Sequence, residues 1–143
     1  MTRLPPSHEE LAAFVSRFAQ AWASREPQAF EALWHPEGRL HFPFADRPIE
    51  GREIGRLNRI LNETAPDLTW TLLGWTARGD ILVVEWECAN LLGGRRIAWR
   101  GVDRIVLRDG RILQEVVYTD TAPLHAMRRG EAFAPLLQMP PAG

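Results

Sequence analysis

Three dipeptides limit most strongly what this chain can become. Gly79-Asp80, Gly93-Gly94 and Asp109-Gly110 separate the runs "DLTWTLLGWTA", "DILVVEWECANLL", "RIAWRGVDRIVL" and "RILQEVVYTDT". Such pairs supply the backbone freedom that tight hairpin turns demand, and the runs between them are rich in β-branched and aromatic residues. The second half of the chain therefore reads as an antiparallel meander of four strands.

The phase of the third run fixes which side is wet. Successive strand residues point to opposite faces. One face carries Trp99, Gly101, Asp103, Ile105 and Leu107, and the other carries Arg100, Val102, Arg104, Val106 and Arg108. The arginine face belongs in solvent, so Asp103 belongs inside. A two-residue turn at Gly93-Gly94 gives the same answer. It pairs Leu92 with Arg95, Glu87 with Arg100, Trp86 with Gly101 and Val84 with Asp103. Glu85 and Glu87 then meet arginines across the outer face. Trp86, Cys88 and Asn90 share the inner face with Trp99 and Asp103. Gly101 leaves room for the Trp86 indole, or for a ligand against bare backbone. The turn at Asp109-Gly110 is a fork. Two residues in the turn put Gln114, Val116, Tyr118 and Asp120 inward; three put Leu113, Glu115, Val117 and Thr119 inward.

The first half reads as helix. Ser7 and Glu10 form a capping box, and Leu11, Phe14, Val15, Phe18 and Trp22 follow at helical spacing, predicting a helix over His8–Ser24. Pro27 suits the first turn of a second helix carrying Phe30, Leu33 and Trp34 and stopping at His35-Pro36. "RLHFPFADRP" is an extended segment broken by prolines. A third helix is expected over Gly51–Glu63, with Ile54, Leu57, Asn58 and Leu61 inward, and "PLHAMRR" suggests a short last helix. Helices first and a meander second is an α+β layout, helices packed on one face of a curved sheet.

With 143 residues and a net charge of -1, the chain suits one domain and offers no electrostatic footprint for nucleic acid or an anionic membrane. One cysteine excludes an internal disulfide. No apolar run suits a signal peptide or a membrane span, and a cytoplasmic location is expected. His8, His35, His41 and His125 show no metal-ligand spacing, and neither a metal nor another cofactor is expected. His8 is expected on the surface, His35 at the C-terminus of the second helix, and His41 turned away from Phe42.

Three helices, a "WHPEG" helix end, the meander and a last strand of the "DGRI…Y-T-D" kind together resemble the SnoaL-like polyketide cyclase branch of the nuclear transport factor 2-like superfamily, which also holds ketosteroid isomerases and limonene epoxide hydrolases. The resemblance spans about His8 to Met127, within a single domain over 1–143 whose residues 128–143 are a tail. It implies a cone-shaped fold, three N-terminal helices on a curved, mostly antiparallel sheet, a pocket between them, and a homodimer. It also favours the three-residue turn, with Glu115 and Val117 inward. Asp103 falls on the aspartic acid that serves ketosteroid isomerase as an oxyanion donor. Phe18 stands where that family has a tyrosine, and Phe42 where it has its basic aspartate. Val117 stands at the last-strand aspartate of the cyclases and epoxide hydrolases, and Trp86 and Cys88 at the arginine-aspartate pair of the latter. Each catalytic set is incomplete.

These readings nominate a site. Asp103, if neutral, can donate to a ligand carbonyl; if ionised it can act as a base, and its bland alternative is a structural carboxylate. Glu115 is the candidate base if the three-residue turn forms. Asn58 is placed to orient a polar ligand atom. Phe18, Trp22, Phe42, Trp86, Trp99 and Val117 supply an apolar pocket, with Asn90 at its open end and Cys88 as an inert thiol. The expected function is a pocket for a small hydrophobic molecule: a cofactor-independent isomerase, cyclase or dehydratase acting on a small apolar carbonyl compound. The alternative is a non-catalytic ligand-binding or dimerisation module of the same fold.

Overall fold

The capping box sets the entry of the first helix. Ser7 Oγ accepts from the Glu10 backbone N–H at 3.1 Å and Glu10 Oε2 accepts from the Ser7 N–H at 2.7 Å. The computed structural model describes residues 3–92, 94–131, 133 and 139–143 of the chain. Helix α1 spans His8–Ser24 and buries Leu11, Phe14, Val15, Phe18 and Ala21, the stripe read from the sequence. Its end is tied to another helix. Arg25 takes a left-handed conformation, and its guanidinium donates to the carbonyls of Asn62 (2.7 Å), Ala65 (2.8 Å) and Pro66. These are carbonyls at and just past the end of α3 (Arg52–Thr64), where a cation satisfies groups that have no partner within the helix.

The second helix is shorter than expected. α2 covers Pro27–Glu31, and Trp34 opens strand β1 (Trp34–His41) instead of closing a helix. The Ile112 N–H donates to the Leu33 carbonyl at 2.8 Å, which draws the chain out of the helix and into the sheet. "HPEG" is consequently an irregularity within a strand: Trp34 pairs with Ile112 and Arg39 with Gln114 across a register shift. Gly38 is needed there, because a Cβ would lie 2.7 Å from the Trp34 ring and 2.9 Å from the Ile112 carbonyl. His35, expected to cap a helix, lies in this strand and accepts from the Glu37 N–H at 3.1 Å. β2 (Ile49–Glu50) also precedes α3, so the helices are not grouped ahead of the strands.

Strands β3 (Thr69–Arg78), β4 (Ile81–Leu92), β5 (Arg95–Arg108) and β6 (Arg111–Thr119) form the meander, followed by α4 (Ala122–Arg129). The six-stranded sheet has the order β2-β1-β6-β5-β4-β3, with β1 and β6 parallel and every other neighbour antiparallel. Among the described residues the fold is α+β, a mixed sheet with four helices. Across β4 and β5 the register is the expected one: Leu92 opposite Arg95, Glu87 opposite Arg100, Trp86 opposite Gly101, Val84 opposite Asp103. Gly93 itself lies outside the described residues. On the outer face Glu87 meets Arg100 at 3.2 Å and Arg96 at 3.5 Å.

The fork resolves in a way neither branch anticipates. Arg108 pairs with Arg111, so the turn has two residues, Asp109 and Gly110, at φ 56° and 73°. That corresponds to the positive φ pair of a type I′ hairpin. The three-residue turn is overturned. Glu115 and Val117 nevertheless face inward, because Leu113 is an extra residue between the pairs Leu107–Ile112 and Val106–Gln114. A bulge shifts the strand by one and exchanges its faces.

The core lies between α1, α2, α3 and the inner sheet face, around Phe14, Phe18, Phe30, Leu82, Ile105 and Ile112. Among the described residues no helix is long and apolar enough to cross a membrane. Part of the expected tail is the end of α4, and residues 132 and 134–138 lie outside the described residues.

Candidate functional site

A cavity of about 720 Å³ opens between the inner face of the sheet, α3 and α4. Its sheet wall follows from strand alternation: Trp86, Cys88 and Asn90 on β4, Trp99 and Asp103 on β5, and Val117 on β6 all reach it. Trp22 of α1 and Phe42, just past β1, complete the set of expected residues that line it. Phe18 does not. It is fully buried in the core, edge-on to Trp22 at 6.5 Å and to Trp70 at 5.8 Å, and supports the wall from behind.

Asp103 is 2% exposed and lies on the cavity floor. The Trp86 indole N–H donates to its Oδ1 at 2.9 Å. This contact depends on Gly101, since a Cβ there would overlap the Trp86 ring. The space beside Gly101 thus holds the indole, not a ligand. Burial pushes the Asp103 carboxyl up to about 6, with the neighbouring Glu115 carboxyl and the Trp86 N–H holding it back from a larger shift.

Glu115 is 1% exposed, and it does not line the main cavity. It borders a separate inner cavity of about 10 Å³ with Asn58, Trp22, Phe42 and Val117, the last three of which also border the main one. Burial first, and then the charge of Asp103, raise the Glu115 carboxyl well above the usual carboxylate range. Neither Glu115 oxygen has a hydrogen-bond partner among the described residues.

Asn58 is 1% exposed and its orientation is fixed at a distance. Asn62 Nδ2 donates to the Arg25 carbonyl and to Asn58 Oδ1, both at 3.0 Å. A carbonyl can only accept, so Asn62 must present its NH2 there, and Asn58 must present its oxygen to Asn62. The Asn58 NH2 is left without a partner among the described residues, as is the Trp22 indole N–H, and both residues line the inner cavity with Glu115.

Cys88 is buried, and its thiol is pushed up to about 12 by burial and by the negative charges of Asp103 and Glu87. It is a neutral apolar wall group. Among the described residues, no cluster of three or more His, Cys, Asp or Glu side chains is placed to hold a metal ion.

The sequence reading missed several wall residues, Trp70 and Met127 foremost. Trp70 pairs with Cys88 and stacks near-parallel on Trp22 at 6.3 Å; its inward phase on β3 was a usable signal. Met127 comes from α4, whose position over the sheet has no local signature. It also accepts a hydrogen bond from Asn90 Nδ2 on its sulfur at 3.4 Å, at the cavity mouth.

Solved structures share this architecture. A protein named a SnoaL-like polyketide cyclase from Jannaschia sp. CCS1 is 20% identical, covering 89% of this chain and 96% of its own, with a TM-score of 0.71. A protein with a ketosteroid isomerase-like fold from Catenulispora acidiphila DSM 44928, solved with trimethylamine, is 19% identical over 85% of this chain and 97% of its own, with a TM-score of 0.73. An epoxide hydrolase of M. tuberculosis, resembling the limonene enzymes, is 20% identical over 87% and 91%, with a TM-score of 0.66. At these identities the likeness shows the fold. No curated protein matches the sequence. The model of the SnoaL-like domain matches residues 15–115, from the middle of α1 to the inward glutamate of β6. The chain belongs to the SnoaL-like domain family.

Proposed function

We propose that the main cavity holds a small, largely apolar carbonyl compound, and that Asp103, in its protonated form, donates a hydrogen bond to the carbonyl oxygen. The chemistry this serves is cofactor-independent isomerisation, cyclisation or dehydration, in which negative charge develops on that oxygen. One observation carries the reading: a carboxyl 2% exposed, with a raised pKa, at the floor of an aromatic cavity. A donor aimed at a developing oxyanion in a dry site is worth about 3 kcal/mol. The cavity volume falls within the range of small-molecule sites. Phe42 and Val117 bring no carboxylate to the cavity, and Asp67, which also lines it, is exposed, so Asp103 is the buried acid that can meet the ligand.

The test uses two probes of one shape. 2-Naphthol carries an oxygen that mimics an enol, and naphthalene does not. Tighter binding of 2-naphthol, by roughly tenfold and lost in Asp103→Leu, supports the reading. Equal binding of the two overturns the role of Asp103. Solvent deuterium exchange at the α-carbon of 2-tetralone, followed by NMR, then separates an enzyme from a binding module. If neither probe perturbs the cavity resonances, the dimerisation module becomes the better reading. Its second copy would meet the outer sheet face, where Tyr118 is exposed opposite Val102.

A further inference from the structure

Two neighbouring carboxyls buried away from water cannot both ionise without a large cost. Asp103 and Glu115, 2% and 1% exposed, form such a pair, and neither Glu115 oxygen has a hydrogen-bond partner among the described residues. The bulge at Leu113 brings the two together: Asp103 pairs with Val117 and Ile105 with Glu115, so the two acids are diagonal neighbours on the inner face of β5 and β6. Without the shifted register Glu115 would lie among the arginines outside.

Two charged residues, Asp67 and Arg128, line the cavity with Asp103 from exposed positions, and the other side chains described around the pair are uncharged. β4 contributes the Trp86 N–H and the neutral Cys88 thiol. β1 contributes Leu40, the partner of Glu115 in the parallel ladder. α1 contributes Trp22 and α3 contributes Asn58, each with an unpartnered N–H donor among the described residues. Arg100 and Arg104 lie on the opposite face of β5. The Arg25 guanidinium is spent on carbonyls around the end of α3. Among the described residues neither acid has a cation within ion-pair distance.

We infer that Asp103 and Glu115 act as one acid unit holding a single proton at neutral pH, and that Glu115 is the positioning residue that decides whether Asp103 meets the ligand as a donor or as an acceptor. The inference rests on the reading that the ligand sits at Asp103. Its physical basis is the cost of two ionised carboxylates as diagonal neighbours in a dry interior, with only neutral donors beside them to offset their charge. With the proton on Asp103, the pocket offers a donor to a carbonyl oxygen. With the proton on Glu115, Asp103 is an anion held by the Trp86 N–H beside a neutral Glu115, and it can take a proton from a ligand carbon. Returning that proton to another ligand atom restores Asp103, and Glu115 keeps its own throughout. One carboxylate thereby supplies base and then acid, although the basic aspartates of the related enzymes are replaced by Phe42 and Val117.

The experiment is carboxyl-detected 13C NMR of the whole chain, titrated with pH, with the Trp86 indole N–H as a second reporter. The side-chain carboxyl carbons of Asp103 and Glu115 are expected to move together in two shared steps, because strongly interacting sites titrate as a pair. In Glu115→Gln the Asp103 carbon and the Trp86 N–H should follow one step only. If each acid of the wild-type chain moves in a single step of its own, or if Asp103 titrates identically in Glu115→Gln, the inference is overturned. The wild-type measurement decides the matter even if the variant does not fold. Binding of 2-naphthol separates the two claims. Shared titration without binding removes the pocket reading and leaves the acid unit; binding with independent titration removes the acid unit alone.

Discussion

The Trp86 indole N–H reaches Asp103 Oδ1 at 2.9 Å across the bare backbone of Gly101. Three residues on two strands thus form one unit, in which glycine makes space, tryptophan fills it, and its donor restrains the acid.

Gly101→Ala should disrupt this unit. The new Cβ would overlap the ring, so the indole has to move, and overpacking of this kind costs about 1–3 kcal/mol. Urea unfolding reads the loss, and the Trp86 N–H resonance should leave its hydrogen-bonded position. Adding Trp86→Phe should recover part of the stability, because the smaller ring relieves the overlap, so the two changes will not be additive. Full additivity would show that the residues do not share the space.

Stability should fall as pH rises from mildly acid to neutral. The Asp103 carboxyl, near 3.9 in an unfolded chain, is raised to about 6 in the folded one. Between those values the folded state binds more protons than the unfolded, so the slope of unfolding free energy with pH is negative. Glu115, raised further, extends the fall to higher pH. Asp103→Asn removes the titration while leaving an oxygen to accept from Trp86. It should stabilise the protein at neutral pH by on the order of 2 kcal/mol, and do so much less at acid pH. Parallel stability curves for the two proteins would contradict the raised pKa.

The β4–β5 register was legible because independent signals coincide there: arginines against glutamates outside, and a tryptophan against a glycine inside. The last strand was not legible. Ile112 and Leu113 are adjacent apolar residues, as are Val116 and Val117, so hydrophobicity suits either face. The bulge is settled by contacts with β5 and β1 that are distant in sequence. α2 was overextended for a similar reason. Leu33 and Trp34 continue the helical spacing of Phe30, but the edge of β6 claims the Leu33 carbonyl. Asp103 was read correctly as inward from the alternation along β5 and from its pairing with β4. Its position diagonal to Glu115 on the inner face was hidden, because it exists only after the bulge has formed.

Arg25→Ala should cost about 2 kcal/mol although the side chain is remote from the cavity floor. Its guanidinium satisfies carbonyls of Asn62, Ala65 and Pro66, and removing a donor from such groups costs about 1–3 kcal/mol. Arg25→Lys should restore little, since an ammonium lacks the planar fork that reaches several acceptors at once. Chemical denaturation of the three proteins provides the comparison. Rescue by lysine would show that charge at the helix end, not the fork, is what matters.

Cys88 should resist alkylation in the native protein. Only the thiolate attacks, and burial together with Asp103 and Glu87 pushes this thiol up to about 12, leaving almost none ionised at neutral pH. Iodoacetamide should therefore label the protein at the rate at which it opens, and label it fully in urea. The residue lines the cavity beside Trp99, so a cavity ligand should slow native labelling further. Asp103→Asn removes one of the charges that raise the thiol and should speed labelling modestly at alkaline pH. Rapid native labelling at neutral pH would mean that the wall is wet, and the dry environment that holds Asp103 near 6 would be lost with it.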